Sequence, residues 1–133
     1  MDKALISIML LYYLFIIALM FYMFKKRTKA IKNKEVKFSH FKAYQGSTPE
    51  YLVVIQNHFN NQFQIPIIFF IVTSLIVALN KVSLFAVVLA SLFLISRLIH
   101  TYIHLGSNKP LIRAMAYFVG VIIVAIQWSL LLI

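Results

Sequence analysis

The sequence predicts an all-α integral membrane protein, a four-helix bundle formed by one domain over residues 1–133. Three observations carry this. The chain is 62% hydrophobic and only 12% charged, with a mean hydropathy of +0.91, whereas a soluble domain is about a quarter charged. Apolar stretches of bilayer length recur four times, at about residues 4–24, 50–79, 83–105 and 110–132. The net charge of +10 is also concentrated: eight of thirteen basic residues fall between Lys25 and Lys42. Such a distribution assigns the charge to one connector, and no nucleic-acid-binding motif accompanies it, so nucleic acid is not an expected partner. The absence of cysteine rules out disulfides, thiolate nucleophiles and cysteine metal sites, and says nothing of redox compartment.

Ala4 to Phe24 is free of charge and, at 1.5 Å per residue, reaches roughly 31 Å as a helix, enough to cross the hydrocarbon core. It exceeds a signal-peptide apolar region, and no small-residue cleavage pattern precedes Lys25. Tyr12, Tyr13 and Tyr22 read as packing, lipid-facing or interfacial residues. The connector 25–48 carries Lys25, Lys26, Arg27, Lys29, Lys32, Lys34, Lys37 and Lys42 against Glu35 alone. It reads as a solvated, topology-setting loop, or as a positive funnel for an anionic ligand. Ser47-Thr48-Pro49-Glu50 has the composition of a helix start, with a hydroxyl to cap, proline in the first turn and an acid at the positive end of the dipole.

The second span is amphipathic first and wholly apolar later. Gln56, Asn57, Asn60, Asn61 and Gln64 share an arc of about 140°, a stripe suited to a polar cavity or to hydrogen bonding between helices. Pro66 removes a backbone donor and predicts a kink. Asn80-Lys81-Val82 is a tight turn, so the third span returns antiparallel. Gly106 to Pro110 ends the third helix and opens the fourth, glycine near the C-cap and proline at the first turn. Trp128 suits the far membrane surface. Basic residues lie on the cytoplasmic side of a membrane, which puts the 25–48 loop and Lys109 there and both termini opposite. In a bacterium the membrane would be the inner, plasma membrane.

At 100° per residue Arg97, His100, Thr101 and His104 fall on one helical face, and Arg113 opens the next span. Ionisable groups at such depth usually face a bundle interior or a wet cavity. The amide stripe, this face and Arg113 belong to three helices, yet the topology brings them to the same cytoplasmic half. Two guanidiniums with imidazoles and amides form an anion-binding set, since arginine offers a planar fork to carboxylates or phosphates and would stabilise a bound thiolate. The alternative is that both arginines reach lipid phosphates at the interface. Asp2, Glu35 and Glu50 are the only acids; Glu50 lies at the right end to meet Lys109 or Arg113. No metal is expected: His100 and His104 are spaced i, i+4, but no carboxylate or cysteine completes a set, and arginine repels a cation. Paired carboxylates, a Ser-His-Asp order and a phosphate-binding glycine loop are all missing.

Asn61-Gln62-Phe63-Gln64-Ile65-Pro66 resembles the Asn-x-x-Glu-x-Pro signature of the membrane-associated proteins in eicosanoid and glutathione metabolism. Arg97-Leu98-Ile99-His100-Thr101 and Arg113-Ala114-Met115-Ala116-Tyr117-Phe118-Val119-Gly120 resemble the helix-three and helix-four segments of its microsomal glutathione transferase branch. The resemblance covers the chain from Ala4 on. It implies a four-span protomer of a homotrimer embedded in the lipid bilayer, with glutathione as co-substrate at subunit interfaces near the cytoplasmic side. It implies Arg113 as the catalytic arginine beside the thiolate, Arg97 and Asn61 as ligand contacts, and a small lipophilic electrophile as second substrate. His100, His104, Asn57, Asn60 and Gln64 complete the expected binding set. Gln64 stands where the family usually has glutamate, Gln56 and Asn57 where the transferases tend to have arginines, and His104 where that branch often has tyrosine.

Overall fold

The computed structural model describes residues 1–43 and 46–132. Among these the ordered elements are α1 (Asp2–Lys32), α2 (His40–Ala43), α3 (Glu50–Asn61), α4 (Ile65–Ala78), α5 (Leu84–Leu105) and α6 (Pro110–Ser129). Four stretches are long and apolar enough to cross a membrane: α1, α3 with α4, α5, and α6. The protein is an integral membrane protein.

α1 does not stop where its apolar run stops. It continues through Lys25–Lys32, because lysine, arginine, alanine and isoleucine all tolerate a helix well, and so projects roughly 12 Å past Phe24. Its end is a Schellman turn: the Glu35 amide donates to Ala30 O at 3.0 Å and that of Lys34 to Ile31 O at 3.0 Å, with Lys34 at φ 58°. The rest of the basic connector folds back against this extension. Ala30, Val36 and Leu52 form a small core with Ile31 and Phe41, Tyr51 donates to the Glu35 carboxylate at 2.7 Å, and Arg27 donates to Gln56. Positions 44 and 45 of the connector lie outside the described residues. The expected hydroxyl cap does not form: Pro49 is the N-cap of α3 with no side-chain bond, and Thr48 Oγ1 instead lies 3.0 Å from His40 Nε2.

The second span is broken rather than bent. Gln62 to Gln64 leave the helix, Gln64 taking φ −108° and ψ −107°, and Pro66 sits in the first turn of α4. A proline there has no amide to offer Gln62 O, so the ladder restarts beyond it. A second Schellman turn, with Asn80 at φ 55°, then ends α4, and the Ser83 hydroxyl caps α5 by accepting from Ala86 N at 3.2 Å. Lys81 Nζ donates to Leu131 O at 2.9 Å, tying this turn to the end of α6.

The core is a column of apolar side chains from α1, α4, α5 and α6. Phe69 and Phe93 stack with centroids 4.2 Å apart, and Tyr12 sets its ring edge-on to both. α5 packs most extensively against α6, and Gly120 permits the approach: a Cβ there would meet Phe93, Ser96 and Arg97 at 3.2–3.5 Å. Leu10, Leu14, Ile95, Ile99, Met115 and Ile122 face outward, a surface that suits lipid.

Candidate functional site

Above the Phe69–Phe93 stack the interior turns polar. α5 supplies Arg97, His100, Thr101 and His104 from its inner face, as the helical spacing predicts, and Arg97 is fully buried. α3 supplies His58 and its C-cap Gln62, both 1% exposed, and α1 supplies Tyr12. α6 adds Arg113 and Tyr117, and the α5–α6 turn adds Asn108, held at φ 48°, a conformation asparagine accepts readily.

The three imidazoles form a cluster, with ring centroids 5.5 Å apart for His58–His100, 4.9 Å for His58–His104 and 5.3 Å for His100–His104. Each arginine touches one of them. Arg97 Nη2 lies 2.6 Å from His100 Nδ1, and Arg113 Nη1 lies 3.3 Å from His104 Nε2. A guanidinium only donates, so both imidazole nitrogens accept, and each neutral ring carries its proton on the other nitrogen. His104 Nδ1 then donates to His58 Nδ1 at 3.1 Å. That puts the His58 proton on Nε2, which donates to Thr101 Oγ1 at 3.0 Å, and Thr101 donates to Arg97 O at 2.8 Å. The reverse assignment, in which Gln62 Nε2 donates to His58 Nε2 across 3.3 Å, would press a protonated His104 Nε2 against Arg113. Gln62 is satisfied without it, accepting from Tyr12 Oη at 2.8 Å and donating to His58 O at 3.0 Å.

Arg97 is the least satisfied group in the site. Its Nε and Nη1 have no hydrogen-bond partner; the guanidinium stacks over Tyr117 at 5.3 Å and fits only because position 120 has no side chain. Among the described residues no ion pair reaches Arg97 or Arg113, and Glu50 joins neither Lys109 nor Arg113. Arg113 directs Nη1 to Asn108 Oδ1 at 2.8 Å as well as to His104, which leaves its Nη2 and Nε edge for a ligand. A cavity of about 590 Å³, lined in part by Lys26, Glu50 and Asn108, lies beside the same turn.

Ligand nitrogens of His58, His100 and His104 lie within 4.8 Å of one another, a spacing a metal would accept. The two guanidiniums, however, occupy one lone pair on His100 and one on His104, and the remaining nitrogen of each ring is protonated. Coordination would need imidazolate or the loss of both arginine contacts, with two positive charges beside the ion. The residues present do not suit a cation.

The amide stripe divides. Gln64, exposed on the outer surface, accepts from Tyr117 Oη at 3.3 Å, and the Tyr117 ring lies 5.8 Å from His100, so Gln64 is linked to the cluster. Asn61 is half-buried. Asn57 and Asn60 are exposed and line a shallow depression of about 380 Å³ with Thr48, Leu52, Val53 and Gln56, with Gln56 Nε2 donating to Asn60 Oδ1 at 2.8 Å. They face away from the arginines because the inner face of α3 is the line Leu52, Ile55, His58, which continues into Gln62. Sequence reasoning missed His58, Gln62, Tyr12 and Asn108. The signal for the first two was a polar pair at i, i+4 on the otherwise apolar face of α3.

Comparison of the chain with models of protein families matches the MAPEG family over residues 5–133. No curated protein and no solved structure matches it.

Proposed function

The chain belongs to the MAPEG family, and on that premise we propose that it works as a homotrimer that binds glutathione, or a related thiol-bearing anion, where protomers meet near the cytoplasmic surface. The basic connector lies on that side and both termini on the other. The observation that carries the reading is the pair of arginines from α5 and α6 that converge on one imidazole cluster with no acid in reach. Buried guanidiniums are retained where a counter-charge meets them, and an external anion is the available one.

Binding would use the free edge of Arg113. A cation beside a bound thiol favours the thiolate, because the charged form gains the Coulomb attraction. The thiolate then attacks a lipophilic electrophile arriving through the lipid, its sulfur forming the new bond as the leaving group or peroxide oxygen takes the electron pair. This is transferase or peroxidase chemistry of the kind the microsomal branch resembles. Arg97, with His100 and Tyr117, would hold the peptide part of the ligand, and Gln64 and Asn61 would border it. Gln64 brings no charge to the ligand's ammonium, so affinity would rest on the arginines.

The test is titration of purified protein with glutathione, read as thiolate absorbance in the ultraviolet. The wild type should form thiolate; Arg113→Ala should lose it, and Arg97→Ala should weaken binding. A second reading, a non-catalytic scaffold or lipid-binding protein, is favoured by the outward amides Asn57, Asn60 and Gln64, whose simplest use is polar contact between copies. Absence of glutathione binding, with Arg113→Ala impairing only assembly, would decide for it.

A further inference from the structure

Two histidines and a threonine join the Arg113 guanidinium to a backbone carbonyl in one directed run of hydrogen bonds. They run Arg113 Nη1 to His104 Nε2, His104 Nδ1 to His58 Nδ1, His58 Nε2 to Thr101 Oγ1, and Thr101 Oγ1 to Arg97 O. The three inner members, His104, His58 and Thr101, each both accept and donate, so each bond polarises the next. The chain ends on a backbone carbonyl, which cannot take a proton, so it holds groups in place and does not conduct protons.

We infer that His58 is a positioning residue for Arg113: its Nδ1 is the second acceptor that, together with Arg113 itself, locks the His104 tautomer and ring orientation, keeps the His104 Nε2 lone pair toward Arg113, and so holds the guanidinium with its other edge free for an anion. Remove that acceptor and only the long 3.3 Å contact from Arg113 selects which His104 nitrogen carries the proton. In the other tautomer His104 Nε2–H faces the Arg113 N–H, and the guanidinium swings off, keeping only Asn108. The histidine comes from a different helix than either arginine, so the circuit also couples the position of α3 to the ligand edge of α6. Its place in ligand binding rests on the reading that Arg113 receives the anion; the tautomer assignment does not.

The experiment compares His58→Asn with His58→Gln in the assembled full-length protein. Both are neutral amides of similar bulk, but the asparagine oxygen overlies the Nδ1 position, whereas the glutamine head group overlies Nε2. Nitrogen-15 NMR of labelled histidine in the ligand-free wild type should show unprotonated Nδ1 on His58, unprotonated Nε2 on His104 and unprotonated Nδ1 on His100. His58→Asn should keep the His104 tautomer and bind glutathione within about threefold of wild type; His58→Gln should mix the tautomers and weaken binding about tenfold, the scale of one charge-assisted hydrogen bond. A purely packing role predicts equal effects of the two amides, and that result overturns the inference. So does a wild-type His104 protonated on Nε2, or stoichiometric zinc binding that the histidine variants abolish. If the wild type binds no glutathione while the tautomers behave as stated, the ligand reading fails and the circuit stands.

Discussion

Replacing Arg97 with methionine should make the protein more stable and less able to bind its anion. The gain comes from the bonds Arg97 makes and lacks. Its Nε and Nη1 are buried without partners, and each such donor costs about 1–3 kcal/mol relative to an apolar group of the same shape. Against this relief, methionine orphans His100 Nδ1, now 2.6 Å from Nη2, at about 1–3 kcal/mol, and loses the stacking over Tyr117, worth about 1 kcal/mol. Methionine fills most of the arginine volume with a flexible apolar stem, so little cavity cost is added. Central values leave a gain of about 1 kcal/mol, which for a chain of this length is roughly 4 °C in melting temperature. The assay is thermal unfolding of the detergent-purified protein with and without glutathione. Wild type should melt higher with ligand, as mass action requires; Arg97→Met should start higher and gain less from the ligand. A variant that melts lower by the 2 kcal/mol or more typical of a core truncation would refute the reasoning, for it would mean the guanidinium is already compensated in the assembled protein.

Gly106→Ala should destabilise the α5–α6 turn by about 1–3 kcal/mol, because its Cβ would stand 2.7 Å from the backbone oxygen of Tyr102. The shift should carry Asn108 and Arg113 with it, so thiolate absorbance should fall along with the melting temperature. The connector should also loosen in acid. Hydrogen bonds from Tyr51 and Asn33 hold the Glu35 carboxyl below its usual range, so its contribution is present above the ordinary carboxylate pKa and is lost as pH falls through the lowered one. Protection of the amides of residues 30–36 against hydrogen exchange, corrected for the intrinsic rate at each pH, should therefore fall as pH drops below the ordinary carboxylate range in the wild type, and Glu35→Gln should flatten that dependence.

Composition and the length of uncharged runs were sufficient for the membrane class and the four spans, because the bilayer demands about twenty apolar residues per helix whatever they pack against. Helical periodicity likewise placed Arg97, His100 and His104 on one face, since spacing within a helix is local geometry. Family membership was legible in residues 61–66, 97–101 and 113–120. Other features depended on contacts between distant segments. The extension of α1 past Phe24 is held by a core made with Val36 and Leu52, and Thr48 left its capping place for His40.

The site separates along the same line. Sequence alone determined which charged groups share one depth of the bundle and that the acids of the chain lie at or beyond the ends of its apolar runs. Only the tertiary structure decided their company: His58 and Gln62 turn inward from α3 while Asn57 and Asn60 turn out, and Tyr12 crosses from α1 to bond Gln62. The physical reason is that a helix presents all its faces to the reader of a sequence, and only the packing of its neighbours chooses which face meets the core. Nor does sequence spacing alone set a histidine's tautomer; Arg97 meets His100 within α5, but the His104 choice needs Arg113 from α6 and His58 from α3 brought against it.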